Sequence, residues 1–124
     1  MSAIDRCIAQ IHSVRSVAVG VEPAYVARSR LGRLTVTCAS IVARLIGTPA
    51  PSLPGPIRVQ GNVSPVARQL SDSCNQIYIL SRHLSQPSEP LDERWIRGWR
   101  GLINELDKLE ACVEKCRQGG TACQ

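Results

Sequence analysis

Four stretches of this chain repeat apolar or small residues at steps of three and four, the spacing that lines one face of an α-helix. In the stretch from Pro23 to Ile46 the stripe is Ala27, Leu31, Leu34, Cys38, Ile41 and Leu45. Beside it a second row, Arg30, Arg33, Thr37, Ser40 and Arg44, keeps the same steps. At about 100° per residue that row flanks the apolar face, so a packed helix is expected to leave it at the rim.

The other three stretches follow the same rule. A first helix is predicted over 2–19, with Ser2 capping Asp5 and Ile4, Cys7, Ile11, Val14 and Ala18 on its stripe. Arg6, Gln10 and Ser13 lie on its other side, and Gly20 is expected to close it. Pro23 then fits a first helical position in a second helix over 23–46, where its missing amide hydrogen costs nothing. So short a connection makes the two helices antiparallel neighbours. Ser64-Pro65 reads as cap and first-turn proline of a third helix over 65–85. Val66, Leu70, Cys74, Ile77 and Leu84 face inward there, Ser81 interrupts the stripe, and Tyr78 and Arg82 lie outside. A fourth helix over 90–117 carries Trp95, Trp99, Leu102, Leu106, Leu109, Val113 and Cys116. Asp92 and Glu93 at its start and Lys115 and Arg117 at its end suit the helix dipole. Glu93 and Arg97 are spaced to pair. The tail 118–124, with Gly119-Gly120, is expected to fray.

Between the second and third helices, residues 48–64 hold four prolines and two glycines, which excludes helix and favours extended chain. Ile57-Arg58-Val59 alternates like a short strand without an obvious partner, and the segment reads as a spacer. The fold class is therefore all-α: one 124-residue domain, an antiparallel four-helix bundle with a long Pro-rich crossover. Phe is absent and aromatics make up 3% of the chain, so the core must be built from Leu, Ile, Val, Ala and Cys.

Charge adds a surface to this frame. The net charge is +5, and residues 1–84 hold nine basic residues against three acids. Thirteen of the fifteen basic residues are Arg, whose planar fork suits phosphate or carboxylate, though a coding bias toward Arg gives the same count. Between Glu22 and Asp72 there are six arginines and no acid. No apolar leader and no run long enough for a membrane span is visible, so the chain is expected to be soluble and cytoplasmic, with its six cysteines as thiols.

Catalytic chemistry finds little purchase. No P-loop, dinucleotide fingerprint, His-Glu-x-x-His, nucleophile elbow or EF-hand loop is present. The two histidines, His12 and His83, have no carboxylate at helical pairing distance. Glu105, Asp107, Glu110 and Glu114 fall mostly on the outer faces of the fourth helix, where a solvated charged face accounts for them. No catalytic residue is therefore assigned, and the chain is expected not to be an enzyme.

Cys7, Cys38, Cys74 and Cys116 occupy stripe positions, one on each helix, and Cys112 lies one turn before Cys116. Cys7, Cys38 and Cys112/Cys116 are expected towards one end of the bundle, with Cys74 nearer mid-helix. Converging thiolates could hold Cu(I) or zinc. With no Cys-x-x-Cys spacing, packing as small hydrophobes is the favoured reading, with no metal ligand and no cofactor. Trp95 and Trp99 are interleaved with Arg94, Arg97 and Arg100, a pattern suited to stacking bases and pairing phosphates. Their place on the apolar stripe favours burial, which leaves the arginines as an outer patch.

Spaced positive charge is enough for sequence-independent binding of a phosphate backbone. The residues expected to provide it are Arg28, Arg30, Arg33, Arg44, Arg94, Arg97 and Arg100, binding RNA or single-stranded DNA. In size, helicity and charge the chain resembles the small helical subunit of CRISPR ribonucleoprotein effectors. That resemblance implies a basic, non-catalytic subunit of a multi-protein antiviral-defence assembly, lying along guide or target nucleic acid. It rests on no short motif, so no residue takes a role through it. An inhibitor or immunity protein of phage or plasmid origin, binding protein instead of nucleic acid, fits the same compact bundle. A thiolate metal-binding bundle is a third class. A membrane partner is not expected, and self-association is left open.

Overall fold

The computed structural model describes residues 2–18, 21–83 and 93–119. Among them the chain forms four helices and no strand element: α1, Ala3–Arg15; α2, Ala24–Ile46; α3, Pro65–His83; and α4, Glu93–Gly119. Two helix starts are capped by the residues that the local sequence marks. The Asp5 amide donates to Ser2 Oγ at 3.1 Å, and the Ala67 amide donates to Ser64 Oγ at 3.2 Å. Pro23 sits one position outside α2, with extended backbone, and not at its first helical position. Gly47 closes α2 in the left-handed region (φ 74°, ψ 30°), where a side chain would be strained.

Helix ends differ more from expectation. α1 stops at Arg15 and is closed by Ser16, whose amide donates to the His12 carbonyl, so the predicted extension to residue 19 is not formed over 16–18. Ala18 therefore leaves the stripe and is exposed, while Val17 turns inward and is buried. α4 continues through residues 118–119, which were expected to fray. The predicted helical residues 19, 84–85 and 90–92, the stripe residue Leu84, the cap Gly20, and the tail from residue 120 lie outside the described residues.

The core contains the stripes. Cys7, Ile11 and Val14 of α1, Ala27, Leu31, Leu34, Cys38 and Ile41 of α2, Leu70, Cys74 and Ile77 of α3, and Trp95 through Cys116 on the α4 stripe are buried together. Leu45 and Val66 are half-buried at its margin. α1 and α4 are clasped along their length. Arg117 bonds Asp5, His12 Nε2 lies 3.4 Å from Glu110 Oε2, and Arg15 bonds both Glu110 and, at 2.6 Å, Asp107. The α4 acids are thus not merely a solvated face, because two of them hold α1. The expected Glu93–Arg97 pair is not among the ion pairs of the described residues.

The Pro-rich segment 48–64 is attached to the helices. Asn75 of α3 uses its side-chain amide as a strand would use its backbone: Oδ1 accepts from the Ile57 amide at 2.7 Å, and Nδ2 donates to the Ile57 carbonyl at 2.9 Å. This is the partner that the alternating Ile57-Arg58-Val59 lacked, and it leaves Ile57 and Val59 half-buried with Arg58 exposed. Pro54 Cγ lies 3.8 Å from where a Cβ on Gly32 would stand. α2 is buried on more than its stripe: Thr35, Thr37, Ala39, Val42 and Ala43 are buried too, Ala39 and Ala43 beside Pro56 and Ile57 of the segment. Thr37, expected at the rim, is inside. Its hydroxyl donates to the Arg33 carbonyl at 3.1 Å, one turn back, which makes burial tolerable. No helix among the described residues is long and apolar enough to cross a membrane.

Candidate nucleic-acid interface

A groove of about 520 Å³ runs where α1, the outer edge of α2 and the segment at residues 52–54 meet. Arg6 and Gln10 come from α1. Arg28, Ser29, Gly32, Arg33, Val36 and Thr37 come from α2, and Ser52 and Pro54 close the third side. Three arginines line it and no acid does. Arg6, Arg28 and Arg33 are all exposed. Neither Arg6 nor Arg33 has an ion-pair partner among the described residues. Gln10 leaves one atom of the wall unmet: its Oε1 is buried with no hydrogen-bond partner.

The other predicted arginines are distributed differently. Arg30 does not join the row, because it is half-buried against the end of α1. Its Nη1 donates to the Ser13 carbonyl at 2.7 Å and to Ser16 Oγ at 3.2 Å, and Glu22 Oε2 lies 4.0 Å from its Nη2. That carbonyl, near the end of α1, also accepts from Ser16 Oγ at 2.8 Å, and Arg30 serves as a strut between α1 and α2. Arg44 is exposed, eleven residues beyond Arg33 and about 16 Å further along the helix. Arg97 and Arg100 are exposed around a separate hollow of about 390 Å³ lined with Glu93 and Ile96, which shares no residue with the groove. The side chain of Arg94 lies outside the described residues.

Sequence reasoning missed Arg6, which it set on the far side of α1. The available signal was the Arg6–Gln10 step of four, immediately flanking Cys7 and Ile11. Whether that flank faces solvent or α2 depends on how the helices cross, which the spacing does not carry.

The tryptophans are withdrawn from any ligand. Trp95 and Trp99 are buried and stack on each other, ring centroids 5.6 Å apart and planes within 6°. The five described cysteines are buried as well. Cys7 Sγ is 3.7 Å from Cys38 Sγ, and Cys74, at the middle of α3 as expected, is buried in the same core. The hydrogen bond with Cys38, then burial, push the Cys7 thiol far above the ordinary range. For Cys38 the bond from Cys7 acts downward, but Cys74 and burial outweigh it and raise the thiol well above its usual value. No group of three or more His, Cys, Asp or Glu among the described residues is arranged to hold a metal ion.

No family of proteins matches this chain, and neither does any curated protein or solved structure.

Proposed function

We propose that this chain is a non-catalytic nucleic-acid-binding subunit that engages the phosphate backbone of RNA or single-stranded DNA through the Arg6–Arg28–Arg33 groove. The observation that carries the reading is that groove: three guanidinium groups from two helices line one acid-free depression. A buried core needs no such arrangement, and a phosphate backbone is recognised by spaced positive charge with planar forks. Arg44, further along the exposed edge of α2, extends the track.

The frame proposed for it is an antiparallel four-helix bundle, with residues 48–64 as the crossover from α2 to α3. Asp5 near the start of α1 pairs with Arg117 near the end of α4, and Arg15 at the end of α1 pairs further back with Asp107, which supports opposite directions for those two helices. The resemblance to the small helical subunit of CRISPR effectors supplies a setting in which a few phosphate contacts from each subunit add along a shared strand. In that setting the protein works in the cytoplasm, beside other protein subunits.

The test is titration of a labelled single-stranded oligonucleotide at two salt concentrations. Wild type is compared with the Arg6→Gln, Arg28→Gln, Arg33→Gln triple variant. Affinity should fall, and the slope of log K against log salt should flatten by about 0.7 for each phosphate that is no longer neutralised. Helicity should be unchanged, since the three residues are exposed. If wild type binds nothing at low salt, alone or with copurifying partners, the reading fails and the protein-inhibitor reading replaces it.

A further inference from the structure

The stripe of α2 that lines the groove is Ser29, Gly32 and Val36, and one turn before Ser29 the same stripe carries Tyr25. The steps from Tyr25 are four, three and four, so its side chain leaves the helix on the face that forms the groove floor. Tyr25 is 62% exposed. It is neither stacked nor hydrogen-bonded among the described residues. An exposed aromatic ring carries an apolar face that water serves poorly, and a globular core would normally take it in. Here it stands about 6 Å along the axis from Ser29 and about 10 Å from Gly32, one turn before the arginine-lined groove begins on that face. Leu53, between the groove-lining Ser52 and Pro54, is 75% exposed on the segment's side.

From this placement we infer that Tyr25 is a stacking platform for an unpaired base, and that the groove takes single-stranded nucleic acid in preference to duplex. The chemistry is that of single-strand readers: an aromatic face receives a base while neighbouring guanidinium groups hold the phosphates on either side. A base inside a duplex has both faces covered and cannot offer one to the ring. The tryptophans, the other aromatics interleaved with arginine, are closed to this role by stacking on each other in the core. The inference rests on the phosphate-binding reading above, and its test separates the two.

Wild type, Tyr25→Ala and Tyr25→Trp are titrated at low salt with four labelled probes. These are a single-stranded RNA, a single-stranded DNA, a blunt duplex, and a strand of the same length whose central nucleotides are abasic. Wild type should prefer the single strands to the duplex and the abasic strand. Tyr25→Ala should weaken single-strand binding about 5- to 150-fold, the range of one stacked base, with the salt slope unchanged. Tyr25→Trp should keep it. On the abasic strand Tyr25→Ala should match wild type. Equal binding of duplex and single strand, no effect of Tyr25→Ala, or an equal loss on the abasic strand each overturns the stacking role while leaving backbone binding in place. Failure of wild type to bind any probe overturns both.

Discussion

Cys7 and Cys38 bring two sulfurs to 3.7 Å in the middle of the protein, yet their surroundings keep them unreactive. The thiolate is the nucleophile and the metal ligand, and a low-dielectric core that offers no cation disfavours it. Cys38 and burial favour the protonated form of Cys7, and for Cys38 the downward pull of Cys7 is outweighed by Cys74 and burial. These residues therefore act as small hydrophobes that share a tight crossing of helices. Alkylation followed by peptide mass analysis should show Cys7 and Cys38 protected in native protein and modified promptly in urea. Rapid native labelling would show that the pair is open or ionised. Cys38→Ala should cost on the order of 1–3 kcal/mol of stability and leave nucleic-acid affinity unchanged.

At the scale of elements, the Pro-rich segment 48–64 behaves as a lid on α2. Prolines remove donors and cannot enter a ladder, so the segment cannot hold itself in place by its own backbone. Asn75 supplies what is missing, one donor and one acceptor aimed at a single residue, Ile57. The covered face of α2 is correspondingly rich in small residues, Ala39 and Ala43, over which Pro56 and Ile57 can lie close. Asn75→Ala should release the segment. Loss of two hydrogen bonds is worth about 1–3 kcal/mol, and tryptic cleavage after Arg58 should become faster than cleavage within the helices. Unchanged cleavage at Arg58 would mean that Pro54 and its neighbours suffice to hold the lid. The segment also forms one wall of the groove through Ser52 and Pro54, so the anchor at Asn75 positions part of the proposed binding surface.

For the whole molecule, the clasp between α1 and α4 links stability to pH. Arg15 hydrogen-bonds Glu110 and, with help from His12, holds its carboxyl below the ordinary value of 4.5. Asp5 is also lowered, first by the Ser2 hydroxyl and then by Arg117. A carboxylate with a depressed folded value stabilises the fold fully above its unfolded value, and that contribution drains away as pH falls through the folded one. Stability should therefore decline on the acid side, from about pH 5 downward. Glu110→Gln should lower the melting temperature at neutral pH and make the acid decline shallower than in wild type. Parallel curves for the two proteins would show that the Arg15–Glu110 bond contributes little. α1 is the shortest helix, at 13 residues, and carries three buried side chains, so such tethers matter more to it than to its longer neighbours.

The sequence by itself determined the helices, the capped starts at Ser2 and Ser64 and the core, because each of these is local. A three-four stripe fixes which face is apolar whatever it packs against, and Ser2, Ser64 and Gly47 act on amides and carbonyls within a turn of themselves. Leu34, Leu70, Leu102 and Leu106 needed only the period to be placed inside. Tertiary structure decided everything that depends on which face of one helix meets which face of another. It ended α1 at Arg15, turned Arg30 from a rim cation into a strut on Ser13 and Ser16, and buried Thr37, which pattern alone left at the rim. It stacked the two tryptophans on each other, and it drew Arg6 from one helix to Arg28 and Arg33 of another. A charge is visible in a sequence, but the sides of a groove belong to elements far apart along the chain. Their meeting depends on crossing angle and register, which a single helical period does not encode.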